Sequence, residues 1–442
     1  MRSRRWIALF TGVAVVGLLI GMVTPAASQG KAPEATEVGV TEDEIRIAVI
    51  ADVDNPAAPG IFEGAKDGVE AWGDYINNSC KPKNTCLAGR KVVVDFIDSK
   101  LSADAARDAV IKACEEDFAM VGTTMIFFNN IAPEIDCVDQ AGAATGIPDV
   151  ASFQTSFDHQ CSPVAYTISG SIMDCATKDE HPQTYRGNTG PARYLKKKFK
   201  FEHGSWVASN DLKGPLDATL PLMQAEREVN DLTGEDFLIS AAAPQTEYTP
   251  YVQGLQRDGA EFVSVYADCN SLMNVQREAL VQGVDIQVYL STQSCYTDAI
   301  LDEPASEGTF LWMPYLPPLE EASTNKALKA MLKAIGEDEI DGFGILAWQS
   351  ALLFRDAVNA VVDKQGVNGL TRANLLDAFA NMDSFDADGM RGNINVGTKT
   401  GSGCFVLMKV TNGKFVREFP KKKGTLSCVE SDYSEVEYDN EA

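Results

Sequence analysis

Ile45-Arg46-Ile47-Ala48-Val49-Ile50 is a short run rich in β-branched and aliphatic residues that stops at a turn cluster, Asp52-Val53-Asp54-Asn55-Pro56. Such a run, bounded by turn residues, reads as a buried strand. Apolar residues then fall at helical spacing, Ile61, Ala65, Val69 and Trp72, which predicts a helix to about Ile76. Lys91 to Ile97 is again strand-like, and Ser102 is placed to cap a helix that runs to Cys114. Strand, helix, strand, helix in this order predicts parallel βαβ units in a doubly wound α/β sheet.

The same alternation continues outward. Phe118 to Val121 and Ile147 to Ser152 complete a first set of strands. A polar, irregular stretch from about Cys161 to Gly190 interrupts it. Ser205 to Ser209, Phe237 to Ala241, Phe262 to Tyr266 and Ile286 to Leu290 then form a second set, with helical stretches between them. A third portion breaks a simple pair of beads. A strand ends at Met313, helices follow near 323–335, 344–363 and 371–380, and strand character returns in Phe405 to Val410. These pieces are too small for a core of their own, so they are expected to return to the first two lobes.

The chain begins Met1-Arg2-Ser3-Arg4-Arg5, followed by an apolar run from Trp6 to Val23 and the small or turn-forming residues Thr24 to Ser28. This pattern is that of a secretory signal peptide over 1–28, with a polar linker over 29–42. The first cysteine is Cys80, so no thiol near the cleavage region could carry a lipid. The expectation is an exported protein, soluble in the periplasm, envelope or extracellular space. No second apolar stretch reads as long enough to span a bilayer. The net charge of −25 repels nucleic acid and anionic lipid. Residues 429–442 are acidic and read as a disordered tail.

All ten cysteines follow the signal: Cys80, Cys86, Cys114, Cys137, Cys161, Cys175, Cys269, Cys295, Cys404 and Cys428. Export and an even count predict disulfides. Spacing cannot fix the pairing; nearest-neighbour pairing throughout, Cys269 with Cys295 included, is the expectation. No CxxC pair occurs, and His159, His181 and His203 have no ligand spacing, so neither a metal site nor a cofactor is expected. There is no phosphate loop, no dinucleotide fingerprint after a strand and no GxSxG elbow. Gly342-Phe343-Gly344 reads as packing glycines, and Ser384 to Gly389 as an ordinary Asp/Gly turn.

Several stretches carry a family resemblance: Gly39 to Ile50, Leu87 to Asp98, Val121-Gly122 leading to Ala132-Pro133, Gly146-Ile147-Pro148, Tyr248 to Leu255 and Glu307-Gly308 with Met313-Pro314. Together they resemble type 1 periplasmic solute-binding proteins, in the leucine/isoleucine/valine-binding branch that serves ABC importers. The resemblance implies two Rossmann-like lobes joined by three crossover strands, with a ligand cleft between them. Lobe 1 would take 43–167 and 316–403, and lobe 2 168–315 and 404–428. It also implies a lobe 1 disulfide at about Cys114 and Cys137.

Ligand-facing loops would be Val53–Pro56, Thr123–Asn130, Ser152–Thr155, Ala267–Ser271 and Ser291–Ser294, at carboxyl ends of strands. The candidate contacts are Asp54, Asn55, Phe127, Phe128, Asn129, Ser152, Phe153, Gln154, Thr155, Tyr248, Asp268 and Gln293. Thr155 matches the family's carboxylate-binding threonine. The serine expected in the preceding loop falls on Ile126, and Gln293 or Asp268 stands where an acid would hold an ammonium. Tyr248 either covers the cleft or packs beneath its helix. The implied function is binding of an amino-acid-like or carboxylate solute by a monomer, without catalysis, and delivery to an ABC permease. A sensing domain without transport, or an envelope hydrolase, are the rival readings.

Overall fold

The computed structural model describes residues 31–440, apart from 57, 58 and 212. The signal segment read at 1–28 lies outside the described residues. Seventeen strands follow one another among the described residues. In the first part of the chain these are β1 (Glu44–Ala51), β2 (Lys91–Asp98), β3 (Ala119–Val121), β4 (Thr124–Met125), β5 (Asp149–Ala151), β6 (Phe153–Gln154) and β7 (Ala165–Thr167). The next are β8 (Gln183–Asn188), β9 (Gly204–Ser209), β10 (Asp236–Ile239), β11 (Phe262–Val265), β12 (Val288–Thr292) and β13 (Phe310–Met313). The last are β14 (Cys404–Val410), β15 (Phe415–Phe419), β16 (Ser427–Cys428) and β17 (Tyr433–Tyr438).

β1 is buried on both faces, as expected of a parallel strand covered by helices on each side. It pairs in parallel with β2 along its whole length, and on its other edge with β3 through Ile47 and Ala48 and with β4 through Ala51. β3 and β4 therefore act as one strand interrupted at Gly122, and β5 and β6 follow the same course beside them. The first sheet thus reads β2, β1, β3/β4, β5/β6, β7. The second repeats this order with β10, β9, β11, β12 and β13, then adds antiparallel β14 and β15. Two sheets in which the order reverses beside the first strand are two Rossmann-like lobes, each with one topological switch point.

The third portion returns to both lobes. Helix Gly342–Gln365 lies against helix Glu63–Asn78, and their backbones meet at glycines. A Cβ on Gly68 would sit 2.4 Å from the Gly344 carbonyl oxygen, and one on Gly64 would strike the Asp341 carboxylate. Gly344 is therefore a packing glycine. By length and composition this helix could cross a membrane, contrary to the sequence expectation, but 72% of its apolar window is buried inside the protein. Trp72 and Phe354 meet edge to face at the centre of this contact.

The chain crosses between the lobes after β7, after β13 and before β14. The crossings touch one another: Ser171 N donates to Lys399 O, and Tyr315 pairs with Arg391 as an isolated bridge. Gly170 has φ +77°, and a Cβ there would lie 2.3 Å from the Gly401 nitrogen, so two crossings run backbone to backbone.

Three expectations need correction. The segment read as a linker is held in place from Ala32, whose carbonyl accepts from the Asn368 amide. Buried Arg90 donates to Glu34 O, Thr41 O and Val367 O, and Val40 is fully buried. The acidic tail is not free either. β17 pairs antiparallel with β8, and Val436 joins Met173, Tyr185 and Ala225 in a small core. Alternation explains it: Val436 and Tyr438 share the protein face while Glu435 and Glu437 point out. Finally, four of the expected disulfides form, Cys80–Cys86, Cys114–Cys137, Cys161–Cys175 and Cys404–Cys428, but Cys269 and Cys295 are thiols. Their sulfurs face each other as hydrogen-bonding neighbours, Cys269 opening helix Cys269–Gln282 and Cys295 ending the short turn Gln293–Cys295, and Cys295 also lies 3.6 Å from the Ser291 hydroxyl.

Candidate functional site

The loops that leave the carboxyl ends of the lobe 1 strands are tied together by two carboxylates, buried Asp52 and half-buried Asp98. Asp52 accepts hydrogen bonds from the Ser99 hydroxyl at 2.7 Å, from Leu101 N at 2.8 Å and from Ile126 N at 2.9 Å. One side chain thereby fixes the loops after β1, β2 and β4. Asp98 does the same for the predicted loop Val53–Pro56, accepting from Val53 N and Asp54 N. The Asn55 amide donates to Lys100 O. Asp54 itself is exposed.

The remaining predicted residues separate into those that face the opposite lobe and those used internally. Phe128 is buried and meets His159 edge-on at 4.9 Å, whereas Phe127 is half-buried. Adjacent residues on an extended segment point to opposite sides, so only one of the two can be internal. The Ser152 hydroxyl is spent inside lobe 1, 2.6 Å from the Thr124 hydroxyl and 3.1 Å from Gly122 O. The Thr155 hydroxyl donates to Ile126 O at 2.9 Å. Phe153 packs with Phe62 and Phe343 in a triangle of rings with centroids 4.6 to 5.9 Å apart.

In lobe 2, Tyr248 is completely buried and its hydroxyl donates to Ser271 Oγ, so it packs beneath its helix. Asp268 caps helix Cys269–Gln282, accepting from Asn270 N, Ser271 N and the Ser271 hydroxyl. A carboxylate saturated this way has little left for a ligand ammonium. Gln293 behaves differently. Its carboxamide oxygen is buried without a hydrogen-bond partner, and so is that of Gln154 in lobe 1.

Two approaches join the lobes at this level. A Cβ on Gly214 of lobe 2 would lie 3.5 Å from Thr155 O and 4.0 Å from the Asn129 side chain, and one on Gly342 would lie 2.7 Å from Gln293 O. The loops carrying Asn129, Thr155 and Gln293 therefore border the space between the lobes, where both switch points open.

An acidic groove at the lobe boundary lies elsewhere. It encloses about 400 Å³ between Gly60–Asp67, Tyr296–Asp298 and Glu337–Asp341, and is lined by Glu63, Asp67, Asp298, Glu337, Asp338, Glu339 and Asp341. Burial raises the Asp341 carboxyl above the usual carboxylate range. None of the predicted contacts lines this groove. Its charge would repel an anionic ligand.

A family profile described as periplasmic binding protein matches residues 44–414. The chain belongs to the periplasmic binding protein family. Solved structures of that family share its two-lobed fold. A fatty acid ABC transporter substrate-binding protein from Thermomonospora curvata is 16% identical, with 91% of this chain and 96% of that one covered at a TM-score of 0.64. A leucine-binding protein from Thermotoga maritima is 14% identical, with 85% and 97% covered at 0.60. A solute-binding protein from Rhodopseudomonas palustris, solved in complex with p-hydroxybenzoic acid, is 18% identical, with 85% and 96% covered at 0.63. No curated protein matches the chain. At these identities the structures speak for the fold, not the ligand.

Sequence reasoning placed no metal or acid cluster, because residues far apart in the chain carry no spacing signal. The fold brings Glu134, Asp149 and His159 together.

Proposed function

We propose that this periplasmic binding protein captures a small organic carboxylate outside the cytoplasm and presents it to the permease of an ABC importer, acting as a monomeric binder and not as a catalyst. The observation that carries this reading is the pairing of two switch points across one cleft, bordered by Thr155 and Asn129 on one side and Gly214 and Gln293 on the other. A solute that touches both borders gains contacts only when the lobes close, and so shifts the protein toward the closed state.

The free chemistry of the cleft favours a solute with an apolar body and a polar donor over a simple amino acid. The Ser152 and Thr155 hydroxyls and the Asp268 carboxylate are engaged internally, while Ile126, Phe127 and Phe153 supply half-buried apolar surface. The unspent oxygens of Gln154 and Gln293, one per lobe, suit a hydroxyl or ammonium donor on the ligand. The structural relative solved with p-hydroxybenzoic acid makes hydroxylated aromatic acids the first class to try.

A thermal-shift screen of the secreted protein tests this reading, because a ligand that binds only the folded state raises the melting temperature by mass action. The panel comprises the proteinogenic amino acids, hydroxybenzoates and short fatty acids. A saturable rise with an aromatic or aliphatic carboxylate is expected. Silence across all three classes would remove the carboxylate assignment.

A further inference from the structure

Beneath the loop that carries Thr155, three side chains from separate segments converge away from solvent. Glu134 comes from the short helix Ala132–Ile135, Asp149 opens β5, and His159 lies on helix Phe157–Gln160. Glu134 and Asp149 are fully buried and His159 is 1% exposed. Their ligand atoms all lie within 4.8 Å of one another, with His159 Nε2 2.7 Å from Asp149 Oδ2. The other Asp149 oxygen accepts from the Thr123 hydroxyl at 2.6 Å, which fixes the carboxylate in place.

Glu134 is the unsatisfied member. Neither of its carboxylate oxygens makes a hydrogen bond of ordinary geometry, although the Ser162 hydroxyl lies beside it. A carboxylate stripped of water needs a compensating charge or a proton. Lys399 is the lysine that acts on it, but its ammonium is directed elsewhere. It donates to Gln160 O at 3.0 Å and to Ser162 O, and makes no ion pair with either carboxylate.

We propose that Glu134, Asp149 and His159 form a structural site for a borderline divalent cation, Zn²⁺ foremost. One imidazole and two carboxylates are a donor set that zinc accepts, and two ionised carboxylates beside a neutral imidazole balance its charge. The Thr123 hydroxyl behind Asp149 supplies the kind of outer hydrogen bond that orients a metal ligand. Burial of all three excludes a substrate, so the ion would brace the protein. It would pin helix Ala132–Ile135 and helix Phe157–Gln160 to β5, on either side of the loop bearing Ser152 to Thr155. The rival arrangement is a metal-free network in which Glu134 keeps a proton.

The test uses the secreted chain without a polyhistidine tag, dialysed against EDTA, incubated with ZnCl₂ and desalted before elemental analysis. Wild type should retain about one zinc per chain and melt at a higher temperature than its EDTA-treated form. Glu134→Gln, nearly the same shape, should retain far less than one and show no zinc-dependent rise. His159→Gln serves the same purpose if the first variant does not accumulate. Wild type that neither retains zinc nor responds to it in melting would overturn the proposal in favour of the protonated network. Equal retention by wild type and both variants would do so too, by placing the ion on surface carboxylates such as those lining the interlobe groove.

Discussion

Arg417 of β15 and Glu321 of helix Pro318–Glu321 form a two-pronged ion pair that is almost wholly removed from solvent, with Arg417 Nη2 2.6 Å from Glu321 Oε2. The pair joins the lobe 2 sheet to the segment that has just left it. Arg417 also donates to Pro420 O and Thr425 O at 2.9 Å, and Gly424 N donates to Glu321 at 2.7 Å. Removing one partner strands the other charge in a dry site, a loss of about 3 to 5 kcal/mol. Glu321→Ala should therefore lower the urea midpoint sharply, while Arg417→Met combined with Glu321→Leu should recover much of the loss. A single variant as stable as wild type would show that the guanidinium reaches solvent.

Within the cleft, Thr155 and Gln293 are expected to respond oppositely to substitution. The Thr155 hydroxyl is committed to Ile126 O, so Thr155→Val should leave ligand affinity within a few-fold of wild type while costing about 1 kcal/mol of stability. Gln293→Leu removes an acceptor with no partner of its own and should weaken binding of a hydroxylated acid at least tenfold, about 1.4 kcal/mol. Calorimetric titration of both variants with the best ligand from the screen separates the two. Large loss in the threonine variant and none in the glutamine variant would invert the assignment.

What the residues alone made legible follows from the range over which each signal acts. β1, its turn and helix Glu63–Asn78 were readable because strand and helix periodicities are local, and the Ser102 cap was readable for the same reason. Doubly wound topology then followed from handedness rules that leave few alternatives. The tail escaped notice because four acidic residues between 435 and 441 outweighed the short alternation of Val436 and Tyr438. Side-chain allegiance was illegible for a different reason. Ser152, Thr155, Asp268 and Tyr248 have polar atoms satisfied by Gly122, Ile126, Ser271 and backbone amides that only the folded chain brings near. Glu134, Asp149 and His159 are the extreme case, since three separate elements must assemble before any of them has chemistry.

Cys269 and Cys295 should prove unreactive as well as unbonded. The hydrogen bond and repulsion between the two sulfurs, with burial and the neighbouring Asp268, push the Cys269 thiol far above its usual range. Thiolate is the reactive form, so Cys269 offers almost none at pH 8, and Cys295 is wholly shielded from solvent. Iodoacetamide should leave the native protein unmodified and add two groups per chain once it is unfolded without reductant. Absence of labelling after unfolding would mean that the two sulfurs close a fifth disulfide in the protein in solution.

Glu226 should make stability fall as pH rises. It is fully buried on helix Lys213–Val229 and accepts from Trp206 Nε1 at 2.6 Å, and burial raises its carboxyl from 4.5 to about 7. Between those values the folded protein holds a proton that the unfolded chain has released. Raising the pH through this window therefore favours unfolding, by up to about 3 kcal/mol from this group alone. Buried Asp117, raised to about 8 chiefly by desolvation, adds to the same trend, so the measurement must be a difference. Glu226→Gln keeps the acceptor for Trp206 and removes the titration. Its stability relative to wild type should rise steadily from pH 4.5 to pH 7, as read from urea midpoints. A constant difference across that range would mean that Glu226 titrates alike in the folded and unfolded chain, which its burial against Trp206 should not permit.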